Sequence, residues 1–116
     1  MYDDIQFVNA LDVLQKDLFL WLNVNFPNAT SDTEIKGVME ELGELCHADI
    51  KYTDAIRGFD KAKYELKAKD AIGDMVVFLM NYCSYKNIKF SDCIKIACKN
   101  VLNRNWQRYP INGITE

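Results

Sequence analysis

Ile5, Val8, Leu11, Leu14, Leu18 and Leu22 recur at steps of three and four residues. That spacing lines one face of an α-helix and cannot line one face of a strand. The same period returns in three later stretches, so the chain is restricted to helices packed on helices. The first helix is expected from about Asp4 to Asn25, broken by Pro27-Asn28. Ser31-Asp32-Thr33-Glu34 fits a capping box, with Ser31 as the cap and Glu34 three residues on. It opens a second helix whose apolar face carries Ile35, Val38, Leu42 and Leu45, and which ends between Tyr52 and Gly58. Gly58-Phe59-Asp60 reads as a turn with Asp60 as the next cap. A third helix, about Lys61 to Tyr85, is apolar nearly all round from Ile72 to Tyr82 and should be central. Ser91-Asp92 starts a fourth, carrying Ile94, Ile96, Ala97 and Val101 to about Trp106. The tail, residues 107–116, contains Pro110 and Gly113 and reads as irregular. Long helices with short connections imply an all-α, four-helix, up-and-down bundle.

With 116 residues, 49% hydrophobic and 27% charged, the chain suits a single domain over 1–116 with one modest core. A net charge of −3 disfavours broad nucleic-acid binding, which needs a basic footprint. The acidic opening, Met1-Tyr2-Asp3-Asp4, reads as neither a secretory nor a transit signal. The longest apolar run, Met75 to Met80, falls far short of the roughly 20 residues that span a bilayer. Cys46, Cys83, Cys93 and Cys98 form no CxxC pair and sit among apolar residues, so they are read as reduced, mostly packed thiols in a cytoplasmic protein.

Carboxylates interrupt two of these apolar stretches. The second helix contains Met39-Glu40-Glu41-Leu42-Gly43-Glu44-Leu45, and the third Lys69-Asp70-Ala71-Ile72-Gly73-Asp74-Met75. Glu41 and Glu44 share a helical face, as do Glu40 and Glu44, and Asp70 and Asp74. Two facing helices would bring three to five carboxylates together. Buried carboxylates repel and are costly to desolvate, and a divalent cation relieves both costs. All-oxygen ligands favour Mg²⁺, with Mn²⁺ as a substitute, over zinc. A carboxylate left over can orient or deprotonate a water. Gly43 and Gly73 each precede an acid, which suggests a close helix approach or room for a ligand. Taken singly, each of these acids reads more readily as a solvated surface charge, and it is the joint pattern of two acidic pairs in apolar sequence that argues otherwise. Asp74, followed by six apolar residues, resists that reading most.

These segments resemble the MazG-like family of the all-α NTP pyrophosphohydrolase superfamily. The family pattern is Glu-Glu-x-x-Glu on one helix and Glu-x-x-Asp on the next. Glu40-Glu41-x-x-Glu44 matches the first in full, and Asp74 fits the terminal aspartate of the second. The position three before it is Ala71 instead of glutamate, and Asp70 lies one residue earlier. Leu102-Asn103-Arg104-Asn105-Trp106, with Tyr109-Pro110 and Asn112-Gly113, is similar to a small, phage-type subgroup. The resemblance spans about residues 31–113. It implies a MazG-like bundle completed by oligomerisation, as a homodimer or homotetramer with sites near the interface. It implies Mg²⁺-dependent cleavage of an NTP or dNTP by water to a monophosphate and pyrophosphate, for cleaning or control of nucleotide pools. Glu41, Glu44 and Asp74 would ligate the metal. Asp70 would be a ligand or an outer group, and Glu40 a ligand or water-orienting group, so that Glu40 and Glu41 form the catalytic pair.

Triphosphate charge needs partners beyond the metal, and Lys99 and Arg104 on the fourth helix are the candidates, with Lys67 and Lys69 weaker. Asn81, seven residues after Asp74, shares a face with it and could bind a base or sugar. Trp106 and Tyr109 could stack on a base, although packing explains them as well. Phe19-Leu20-Trp21-Leu22 gives the first helix apolar residues around much of its girth, a candidate subunit interface. Glu44-x-x-His47 is one half of a di-iron pattern, but His47 is the only histidine. The main alternative is a helical nucleotide-binding or regulatory module impaired in catalysis, for which Ala71 is the argument. A host cytoplasm is the expected location for a phage-encoded form.

Overall fold

Asp4 starts the first helix. Its Oδ1 accepts from the backbone N–H groups of Gln6 at 2.9 Å and Phe7 at 3.3 Å, pairing donors that a helix start leaves open. In the computed structural model residues 1–54 and 59–115 are described. They form α1 (Ile5–Asn25), α2 (Ser31–Asp54), α3 (Lys61–Tyr85) and α4 (Phe90–Leu102), with no strand among the described residues. The expected Gly58 turn residue and Glu116 of the tail lie outside the described residues. No described helix is long and apolar enough to cross a membrane.

The second cap differs from expectation. Thr30 and Thr33 form the reciprocal box: Thr33 N–H donates to Thr30 Oγ1 at 3.3 Å, and Thr30 N–H donates to Thr33 Oγ1 at 2.9 Å. Ser31 is already in the helix. A threonine at the third position displaces Glu34 from the capping role, and the Glu34 side chain turns inward instead. Asp60 caps α3 as expected, accepting from Lys63 N–H at 3.1 Å. Helix α4 has no side-chain cap. Ser91 is buried in its first turn and donates to Asp12 Oδ1 at 2.6 Å.

Helix α3 is central, since α1, α2 and α4 all pack on it. Its longest seam is with α2. Helix α1 also packs on α4, but α1 and α2 do not pack on each other, nor do α2 and α4. The closed ring of neighbours expected of an up-and-down bundle is therefore open between α1 and α2. Gln15 ties α1 to the other side. Its Nε2 donates to Met80 O, Ser84 Oγ and Ile88 O, and Phe90 N–H donates to its Oε1 at 2.8 Å. The turn it grips is a Schellman closure, with Ile88 N–H donating to Cys83 O and Asn87 N–H to Ser84 O. Asn87 sits there at φ 57°, a conformation asparagine tolerates better than most residues.

Few apolar residues are fully enclosed: Leu22, Ala48, Ala71, Met80 and Cys83. On α2 the buried positions are Glu34, Gly37, Glu41 and Ala48, and Ile35 and Leu42 of the expected apolar face are exposed. Ile5 and Leu14 of the α1 stripe are exposed too, as are Ile72 and Val76 of α3. All four cysteines are free thiols, but Cys46 and Cys93 are exposed where packing was expected. Helix α4 ends at Leu102, short of the expected Trp106, and the tail is ordered by its backbone. Tyr109 N–H donates to Asn105 O, Gly113 N–H to Tyr109 O, and Asn105 N–H to Gly113 O. Gly113 has φ +76°, with Arg104 and Trp106 packed where a Cβ would project.

Candidate functional site

Gly37 sets the register of the α2–α3 seam. A Cβ on it would come within 2.5 Å of the Phe78 ring, so only glycine lets the ring lie this close to α2. The hairpin is antiparallel, as a short connection requires, and Tyr52 and Tyr64 both pack on Phe59 at its far end. In this register Glu41 stands across from Asp74, and Glu34 across from Asn81. Each pair is two helical turns from the other, about 10 Å along the axis.

Both pairs line one cavity of about 760 Å³. It fills the gap between α1 and α2, with Trp21, Leu22, Phe26 and Pro27 as its apolar wall. Its polar floor is Glu34, Glu41, Asp74 and Asn81. Glu34 is 3% exposed, Glu41 9% and Asn81 1%. Glu34 Oε2, Glu41 Oε2 and Asn81 Oδ1 are buried with no hydrogen-bond partner among the described residues. Buried acceptors are paired in most proteins, and an unpaired one costs about 1–3 kcal/mol. Three of them in one cavity point to a ligand that donates hydrogen bonds or carries positive charge.

The remaining acids of the two motifs turn to an adjoining depression of about 510 Å³, lined by Glu40, Gly43, Glu44, His47, Lys67 and Asp70. The two groups feel each other. Glu41 is pushed up to about 7, first by burial, then by the adjacent Glu44, whose carboxylate can share its proton, and by the charges of Asp74 and Glu40. Asp74 is also raised, by burial first and then by Asp70 and Glu44. The five carboxylates thus repel one another across the cavity and the depression. Among the described residues, no three His, Cys, Asp or Glu side chains stand ready-arranged to hold a metal ion.

Asn81 reaches the cavity as anticipated. Lys99, Arg104 and Trp106 do not line it. Helix α4 packs on α1 and α3, and the Arg104 guanidinium lies 5.7 Å from the centroid of the Trp106 ring, within the tail. Lys67 is the basic side chain that lines the acidic depression. Gly43 and Gly73 face open space, with nothing within 4 Å of where a Cβ would stand, so neither serves a close helix approach; that role belongs to Gly37. Two further site residues are missed by sequence reasoning. The capping pattern claims Glu34, although seven residues before Glu41 is the same helical face. The apolar run of α1 claims Trp21 for an interface. No family model, curated protein or solved structure matches the chain.

Proposed function

We propose that the chain is a Mg²⁺-dependent nucleoside triphosphate pyrophosphohydrolase, converting an NTP or dNTP and water to a monophosphate and pyrophosphate. The observation that carries the reading is the placement of Glu41 and Asp74 across one seam. Both face a nucleotide-sized cavity, and Glu41 Oε2 is buried without a partner among the described residues. The donor set has the chemistry of a hard-cation site, being all carboxylate, mutually repelling and partly desolvated, although its side chains must turn to close around an ion. Glu41, Glu44 and Asp74 would hold Mg²⁺, with Asp70 beside them. When bound, the ion neutralises phosphate charge and makes a water more acidic.

The chain's own groups do the rest. Glu40, at the edge of the cluster, orients the attacking water or takes its proton, with Glu41 as its partner. Lys67, which lines the same depression as Glu40, Glu44 and Asp70, would meet the leaving pyrophosphate. Lys99 and Arg104 can serve the phosphates only if a second copy of the chain carries them to the seam. Such assembly is part of the proposal, as a homodimer or homotetramer. The chain exposes 8649 Å², against about 6,500 Å² expected of a compact monomer of its mass. The substrate is a component of the cytoplasmic nucleotide pool.

A second reading has one observation in its favour. Ala71 is 1% exposed, so a methyl group is sealed into the seam where the related motif carries a glutamate. On that reading the chain binds nucleotides without cutting them. Turnover of an NTP and dNTP panel, with Mg²⁺ or with EDTA, separates the two. We expect metal-dependent pyrophosphate and monophosphate, lost in Asp74→Asn. Orthophosphate and a nucleoside diphosphate as products would place the cut at the wrong bond. Tight nucleotide binding with no product would favour the second reading.

A further inference from the structure

The far end of the cavity has chemistry that the carboxylate cluster does not use. Glu34 and Asn81 sit two turns from Glu41 and Asp74 on the same two helices, about 10 Å along the axis, a span comparable to a nucleoside from its 5′-phosphate to the edge of its base. Glu34 Oε1 lies 3.4 Å from Thr33 Oγ1, while Glu34 Oε2 and Asn81 Oδ1 have no partner among the described residues. The same cavity is lined by the Trp21 and Phe26 rings, 5.8 Å apart between centroids, with Trp21 half exposed. An aromatic wall over a floor of two buried acceptors suits a flat ring with a hydrogen-bond-donating edge.

We propose that this end selects a nucleobase bearing an exocyclic amino group, as adenine, cytosine and guanine do, and rejects uracil and thymine. This rests on the reading of the cavity as a nucleoside triphosphate site. An exocyclic amine carries two N–H donors, the number of acceptors left unpaired here: one hydrogen goes to Glu34 Oε2 and the other to Asn81 Oδ1. Uracil and thymine present carbonyl oxygens on both sides of a single N–H. Their one N–H can satisfy at most one of the two acceptors, which leaves the other buried and unpaired and brings a carbonyl oxygen against the Glu34 carboxylate. A site built to pair a polar group of its ligand discriminates strongly against the analogue without it.

The test is calorimetric binding of the non-hydrolysable α,β-imido analogues of dATP, dCTP, dGTP, dUTP and dTTP, with Mg²⁺, to the full chain and to Glu34→Gln. Pyrophosphate release from the natural nucleotides is measured in parallel. The three amino-bearing analogues should bind at least about tenfold more tightly than the two others, the worth of one net hydrogen bond. Glu34→Gln can turn an N–H donor to a carbonyl and should cut that ratio several-fold. Equal binding of all five, or a ratio unchanged in Glu34→Gln, overturns the assignment. Equal turnover of dUTP and dCTP would overturn it while leaving the pyrophosphohydrolase reading intact. Selective binding of the amino-bearing analogues without pyrophosphate release would do the reverse. No binding of any analogue removes both.

Discussion

Glu41 carries a cost in the empty fold. Its carboxyl is raised from 4.5 to about 7 by burial and by its acidic neighbours. A carboxyl whose folded value lies above its unfolded one favours folding fully below about pH 4.5, and the advantage fades as pH rises towards 7. The metal-free chain should therefore melt lower at pH 8 than at pH 5.5. Glu41→Gln should remove much of that difference and stabilise the metal-free chain at pH 8, while abolishing turnover. Thermal melts at the two pH values and a product assay check both halves. The acids were legible in the sequence because carboxylates inside apolar runs are costly wherever they are buried. Glu34 was not, because a glutamate three residues after a serine satisfies a local rule equally well. Only the competing Thr30–Thr33 box, visible in three dimensions, frees it. Lys99, Arg104 and Trp106 are expected at the site from chemical need alone and do not line it, because no local signal specifies where α4 packs.

The helices themselves follow from local rules, so their limits were largely readable: period, caps and breakers act within a few residues. The cap of α2 offers a direct comparison. Thr30→Ala should cost about 1 kcal/mol and Ser31→Ala close to nothing, as read by urea denaturation; equal costs would restore Ser31 as the cap. Which face each helix buries is a different kind of question. Helix α2 carries an apolar stripe, yet its seam with α3 is made from Glu34, Gly37, Glu41 and Ala48. Small residues let α3 approach, and Glu34 and Glu41 line the cavity beside it. Gly37 is central to that approach. Gly37→Ala would drive a methyl into the Phe78 ring and should destabilise the chain by about 1–3 kcal/mol, typical of overpacking. It should also weaken nucleotide binding, because Phe78 lines the same cavity. An unchanged midpoint would mean that the ring moves freely and that the register has another origin.

At the scale of the whole molecule, the chain is extended. Its radius of gyration is 17.8 Å, against about 13 Å for a compact domain of this length. Large apolar side chains remain exposed on every helix, among them Val24, Met39, Leu66 and Ile96. A monomer would leave that surface in water, so sedimentation at micromolar concentration should show a dimer or larger, with no monomer. A stable monomer would remove the route by which Lys99 and Arg104 reach the phosphates. The all-helical architecture was readable from period alone; the gap between α1 and α2, which forms the candidate site, depends on packing between distant segments, which periodicity does not encode.

The central claim is that the α2–α3 carboxylates hold a divalent cation together with a triphosphate. The most direct measurement is electron paramagnetic resonance of Mn²⁺ with the α,β-imido nucleotide, comparing the native chain with Asp74→Asn. The account predicts a bound-Mn²⁺ signal that depends on both protein and nucleotide and falls at least about tenfold in affinity in the variant. Mn²⁺ that stays with the free nucleotide, or binds the variant equally well, would contradict it.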